Sequence, residues 1–434
     1  MALSPFAADT LAFEARSLLT RLARVQPFAL VMSMVGAASV SRVASAAIES
    51  HLRAGRRELR RKVRGYLRWL SSPAGRGATA AEAQRRFAFI KLKFNAILTQ
   101  FDIFADALSP RGEVGNGVWL GGLDAAAEEA LSLEARFFDP PPVMTYLDRG
   151  HGAAIRRART RLPGGGENPV AIVRVPRERM IGSGIASSLV HEVGHQGAAL
   201  LDLLPSLRRA LQARQRAAGG EERLAWELWE RWISEIVADF WSLAKIGVGA
   251  TQGLMGVVSL PRAFVFRIQA DDPHPFPWIR VKLSIAAGAL LYPDPQWQLL
   301  DRLWESFYPR RGLDRERLRL LAGLEETMPQ FLRLLAGHRP AALRGLTLAR
   351  VFPLESRQPE RLRELYRTTG GRVRDLKRLP PTLAFAVLGQ AKQDRRITPE
   401  LESTTVASLL TAWGLRRALG DPRAAARAPK ALAA

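Results

Sequence analysis

Apolar residues recur at helical spacing along most of the chain. Leu52, Leu59, Val63, Tyr66, Leu67 and Leu70 repeat through a run that also holds Arg53, Arg56, Arg57, Arg60, Arg61, Lys62, Arg64 and Arg68. The pattern predicts a cationic amphipathic helix, ended by a Ser-Pro-Ala-Gly-Arg-Gly loop at 72–77. A second helix is predicted from Ala80 to Leu108. Gly115, Gly117, Gly121 and Gly122, then Pro140-Pro141-Pro142, predict a less regular stretch. The three glycines at 164–166 lead into Val170-Ala171-Ile172-Val173-Arg174-Val175, the clearest strand, bounded by Asn168-Pro169 and Pro176. Helices are predicted over 183–204 and 221–246, followed by an apolar stretch with a Pro-rich break at Pro273–Pro277. Beyond Tyr292-Pro293 the chain reads as amphipathic helices, one of them started by Thr398-Pro399-Glu400. The expected fold is mainly α with a small β element. It divides into an N-terminal helical region (1–110), a core (111–294) and a C-terminal helical region with a basic tail (295–434).

Apolar residues make up 47% of the 434 and charged residues 24%, which excludes a disordered or collagen-like chain. A mean hydropathy of −0.06 argues against a polytopic membrane protein. The absence of Cys excludes disulfides, thiolate metal sites and Cys nucleophiles. The N-terminus reaches Asp9 and Glu14 before any basic residue, the wrong order for a secretory signal, so a cytoplasmic or membrane-peripheral protein is expected. The uncharged stretch 25–41 reads as a buried helix, with a membrane anchor as the alternative because the basic run follows it. The net charge of +23 suggests a polyanionic partner, either an anionic surface or nucleic acid, met through Arg53–Arg68. A bland source competes with that reading, since 56 of the 64 basic residues are Arg, as a biased base composition would give.

The chemistry concentrates in Leu189-Val190-His191-Glu192-Val193-Gly194-His195. His191 and His195, four apart on a helix, project from one face and can reach one Zn²⁺. Glu192, beside the first ligand, is the candidate general base. A catalytic zinc needs a third protein ligand. Glu235 and Asp239, also four apart, lie on a helix otherwise full of Trp, Ile, Val and Phe, where acids are costly to bury without a partner. Glu235 would bind the metal, and Asp239 would accept the free N–H of a ligand His. The strand at 170–175 is placed to be an edge strand that a substrate peptide extends, although its weak alternation equally suits a buried central strand. His151, in a Gly-flanked loop, is a weaker candidate for the cleft, and Trp226, Trp229, Trp232 and Trp241 read as core.

His191-Glu192-Val193-Gly194-His195 followed by Glu235-x-x-Ala238-Asp239 resembles the gluzincin zinc metallopeptidases, in the form closest to the CAAX-prenyl-protease type. That family also carries a His-Pro with an Arg six residues after the His, matched here by His274-Pro275 and Arg280. The resemblance spans about Val170 to Leu290. It implies a gluzincin-like α+β catalytic core, one zinc ion, a protein or peptide substrate, and catalytic roles for His274 and Arg280. Pro273, Pro275 and Pro277 would hold His274 rigidly at the cleft. The expected function is a zinc-dependent endopeptidase. The alternative is a basic helical binding or assembly protein whose zinc site is structural or degenerate. A third reading is an enzyme delivered as cargo, with the flanking helices serving packaging.

Overall fold

The structure, a computed structural model, describes residues 3–25, 34–113, 116–148, 152–176, 184–269 and 271–420. His151, residues 26–33 of the uncharged stretch 25–41 and the basic tail beyond 420 lie outside the described residues. The described part of that stretch, expected as a buried helix, holds only a short 3-10 turn at Gly36–Ala38. The protein is mostly helical with one small sheet, as the pattern predicts. Among the described residues no helix is long and apolar enough to cross a membrane. Contacts divide the chain into two compact units, Met1–Gly117 with 141–146 and 156–172, and Val118–Pro140 with 147–155 and 173–434.

The first unit is built on α1 (Pro5–Arg24), α2 (Arg42–Ser71) and α3 (Ala80–Leu108). Ser4, Ser41 and Thr79 cap the three helices, each accepting a backbone N–H three residues on. Glu82, three residues after Thr79, completes the sequence pattern of a capping box. Leu18 and Leu22 of α1, Leu52, Leu59 and Val63 of α2 and Phe87, Phe94 and Ile97 of α3 share one core. The amphipathic reading of 52–70 thus holds: the apolar positions are the buried ones. The segment at 72–77, expected as a loop, contains a short helix at Pro73–Gly77 capped by Ser72. Gly164, Gly165 and Gly166 all take the left-handed φ that glycine accepts without cost. They close a hairpin whose carbonyls accept from Lys93 and from Gln100 (2.6 Å to Pro163, 2.9 Å to Gly165). The hairpin is thereby strapped to α3.

Three strands, β1 (Val143–Asp148), β2 (Ala154–Arg156) and β3 (Ala171–Pro176), form a sheet in the order β1-β3-β2. The edge-strand expectation for 170–175 is therefore corrected. β3 has a neighbour on each side, in keeping with its nearly unbroken burial.

The second unit holds α4 (Asn116–Leu131), α5 (Gly184–Leu200), α6 (Leu203–Ala217), α7 (Gly220–Arg231), α8 (Ile233–Ile246), α9 (Val248–Val258), α10 (Pro277–Leu291) and five later helices of two or more turns. The last of those, Pro399–Ala418, starts at the Thr398 cap as predicted. Three boundaries differ from the pattern. α4 runs through the Gly-rich stretch expected to be irregular, because Gly122 is there for contact: a Cβ on it would stand 2.1 Å from the Leu410 carbonyl oxygen. The helix expected to run to 204 stops at Leu200, and Asp202 takes a left-handed turn. The helix expected over 221–246 breaks at Trp232 (φ −87°, ψ 0°), whose buried ring meets Trp229 and Phe276 edge-on at 5.9 Å each. With no Gly or Pro at the break, the periodicity runs straight across it.

α5 packs on α8 at backbone distance. A Cβ on Gly194 would lie 2.9 Å from Trp241 Cβ and 3.0 Å from Ala238 Cα, and one on Gly197 only 2.3 Å from the Trp241 ring. Gly197→Val should therefore lower stability by about 1–3 kcal/mol through overpacking. Gly256→Ala, in open space on α9, should raise it by about 0.5–1 kcal/mol through helix propensity. Thermal or denaturant melts of the two variants check the contrast.

Candidate metal centre

The approach of α5 to α8 brings three donors together. His191 and His195 stand one turn apart on α5, with ring centroids 4.9 Å apart and planes nearly perpendicular. Glu235, in the first turn of α8, faces both: its Oε2 is 3.3 Å from His191 Nε2 and its Oε1 is 3.4 Å from His195 Nε2. The three ligand atoms lie within 4.8 Å of one another. A tetrahedron with arms of about 2.0–2.1 Å has edges of about 3.3–3.4 Å, and each imidazole lies that far from one carboxylate oxygen, His191 from Oε2 and His195 from Oε1. The donor set of two imidazoles and one carboxylate also suits that ion.

Asp239, one turn after Glu235, accepts from His191 Nδ1 at 2.8 Å. That bond holds a proton on Nδ1, so the proton that a metal ion would displace is the one on Nε2. Arg280, in the first turn of α10, forks onto Asp239 with Nε–Oδ2 at 2.7 Å and Nη2–Oδ1 at 2.9 Å. Its Nη2 is also 3.6 Å from Glu235 Oε2. The paired bonds lock a planar guanidinium against a carboxylate. Arg280, expected among the catalytic residues, thus sits behind Asp239 and holds it.

The charges respond to this crowding. Burial pulls His191 down, but the charge and hydrogen bond of Asp239 and the hydrogen bond to Glu235 overcome it and hold the group up at about 9. Burial pushes Glu235 up, yet the hydrogen bond from His191 and the neighbouring imidazoles bring it to about 2. Asp239 is likewise held below the ordinary carboxylate range, against its burial, chiefly by Arg280 and His191. The field that raises His191 would equally stabilise a divalent cation. Glu192 behaves in the opposite way. Its side chain is buried, and that burial raises its pKa above the ordinary carboxylate value. Glu192 follows His191 on α5 and lies within electrostatic reach of His191, Glu235, Arg280 and His274.

His274 stands at the open side. Its Nε2 is 3.3 Å from Glu235 Oε2, and about half of its side chain is exposed. Asp272, which the sequence reading passed over, orients it twice: Oδ1 accepts from the His274 backbone N–H at 2.9 Å and lies 2.7 Å from Nδ1. The only signal for Asp272 was its place two residues before the His, where an Asp caps a turn. Also unforeseen were Ser234, whose Oγ lies 3.5 Å from His195 Nδ1, and a pocket of about 240 Å³ beside His274. Trp232, Val258, Phe264 and Phe276 wall that pocket. All seven residues singled out from the sequence (His191, Glu192, His195, Glu235, Asp239, His274 and Arg280) meet at this one place.

Protein purified without chelator should carry about one zinc per chain by elemental analysis. His191→Ala, His195→Ala and Glu235→Ala should each lose most of it, and Asp239→Asn should weaken affinity by about 10–100-fold. Retention of full zinc by all three alanine variants would place the metal elsewhere.

Compared with protein-family models, with curated proteins and with solved structures, the chain matches none.

Proposed function

We propose that this protein is a zinc-dependent endopeptidase of gluzincin type. The observation that carries the reading is the convergence of His191, His195 and Glu235 on one point, with the buried carboxyl of Glu192 beside them. His191, His195 and Glu235 would hold the ion. Zinc bound there supplies Lewis acidity, which polarises a carbonyl and brings the pKa of water toward about 7.

The chain's own groups supply the proton transfers and the positioning. Glu192, with its pKa raised by burial, takes a proton from the attacking water and returns it to the leaving amine. A raised pKa makes Glu192 the stronger base in the first step and keeps the proton on it until the leaving amine takes it. His274, held by Asp272 through Nδ1 at the open side, donates from Nε2 as the imidazolium to the oxygen on which charge develops. Asp239 keeps His191 in its ligating tautomer, and Arg280 keeps Asp239 ionised and in place. Arg280 is a positioning residue for Asp239, and it also lines the pocket beside His274. A structural zinc site would give Glu192 no task and would have no use for a buried carboxyl beside the ligands.

Glu192→Gln should retain zinc and fold while losing nearly all hydrolysis of a casein or peptide-library substrate. Wild-type cleavage by that variant would remove Glu192 as the base. His274→Ala should lower turnover by about 10²–10³ with zinc content and melting temperature unchanged. A fall in melting temperature with turnover per folded molecule intact would make His274 structural.

A further inference from the structure

The first unit carries a surface that peptide hydrolysis does not use. Arg53, Arg57, Arg61, Arg64 and Arg68 follow one another at spacings of three and four along α2, and all five are exposed. At 1.5 Å per residue they form a ridge about 22 Å long. Among the described residues, none of the five lies within ion-pair distance of a carboxylate. Glu58, the acid within this run, is taken by Lys62 at 3.4 Å and Lys93 at 3.5 Å. Five guanidiniums in a row with no internal partner repel one another, which is a standing cost unless an external anion offsets it.

The neighbouring helix adds a second, independent feature. α2 and α3 lie side by side, joined by the Lys93–Glu58 pair and by Arg86 stacked 4.1 Å over the Trp69 ring. Their buried stripes, Leu52, Leu59 and Val63 on one and Phe87, Phe94 and Phe101 on the other, enter the core they share with α1. The outward side of the pair therefore carries the arginine ridge on α2 and the outer residues of α3. Among those outer residues are Phe89, 67% exposed, and Leu92, 65% exposed, one helical turn apart. The pairings 58 with 93 and 69 with 86 put them opposite Arg61 and Arg64.

We infer that the outward face of α2 and α3 docks on an anionic lipid surface. The guanidiniums would pair with lipid phosphates, and Phe89 and Leu92 would enter the acyl boundary. Each basic residue near such a surface strengthens binding by a factor of about five, and the attraction fades within a Debye length. Two large apolar side chains beside the ridge are what a lipid surface uses and a duplex does not: phosphate contacts alone leave them in water. The occupant is thus a membrane, and nucleic acid is the competing outcome.

The test uses the full chain in co-sedimentation with phosphatidylcholine vesicles, alone or with about a third phosphatidylserine. Wild type should bind the anionic vesicles at low salt at least tenfold better than the neutral ones, and release as salt rises. Arg57→Gln, Arg61→Gln, Arg64→Gln and Arg68→Gln together should weaken binding at least tenfold. Phe89→Ser with Leu92→Ser should weaken it several-fold with every charge retained. All six positions are exposed, so circular dichroism should show unchanged folding, and the salt titration of wild type stands even if a variant misfolds. No binding to anionic vesicles at low salt would overturn the inference, as would a Phe89→Ser, Leu92→Ser variant that binds like wild type. Duplex DNA bound through the arginines with vesicles ignored would also overturn it. His191→Ala should leave vesicle binding unchanged, so failure of the peptidase reading and failure of this one are separately visible.

Discussion

α5 brings its two histidines to Glu235 because it carries no side chain where it crosses α8. Gly194 and Gly197 lie on the face of α5 that meets Ala238 and Trp241, and both contacts are closer than any Cβ would permit. This constraint sets the separation of the two helices, and with it the 3.3 and 3.4 Å distances from Glu235 to the imidazoles. Trp241 gives the contact its rigidity. Its ring packs edge-on against Phe352 at 4.9 Å, and its indole N–H donates to the Ala130 carbonyl at 2.9 Å. A donor set built on two packed helices is more precise than one built on loops.

Two acids one turn apart on a buried helix would be destabilising without compensation. Here each has its own. Glu235 faces the imidazoles, and Asp239 faces an imidazole on one side and the fork of Arg280 on the other. Arg280 can do this because Pro277 opens α10 three residues earlier and fixes where its first turn begins. The Pro-rich segment thus serves two ends: it delivers Arg280 to the back of the site and leaves His274, tied to Asp272, at the front. Among the described carboxyls at the centre, Glu192 is the one whose burial is not overcome by cations, so its pKa stands above the ordinary carboxylate value.

The first unit is organised differently. Its three long helices bury an aliphatic and aromatic stripe, and the Gly164–Gly166 hairpin is tied down through Lys93 and Gln100, with Gln100 also 2.9 Å from His51. The basic character of the chain is therefore not spread evenly over function. Arg280 and Arg357 act as struts within the unit, Arg357 donating to the Lys245 carbonyl and to Thr382, whereas Arg53, Arg57, Arg61, Arg64 and Arg68 of α2 are exposed.

The sequence by itself determined the helical class, the buried stripe of α2, a strand at 170–175 (observed at 171–176) and the residues that the fold gathers around His191, His195 and Glu235. These follow from short-range rules. Periodicity reports one helix face, and spacings of four place His191 with His195 and Glu235 with Asp239 regardless of what surrounds them. Tertiary structure decided what depends on a second surface. β3 is central because two other strands flank it, which its own residues could not state. Gly122 sits inside a helix because its bare backbone packs against Leu410, a contact that its own neighbours in the sequence could not announce. Trp232 breaks its helix among Trp229 and Phe276, with no local breaker to announce it. The separation of α5 from α8 was equally hidden, since Gly194 and Gly197 gain meaning only when Trp241 lies across them. Arg280 shows the division within one residue: its spacing from His274 was legible, but its task behind Asp239 required the fold, because a guanidinium pairs with whichever carboxylate the packing brings within reach.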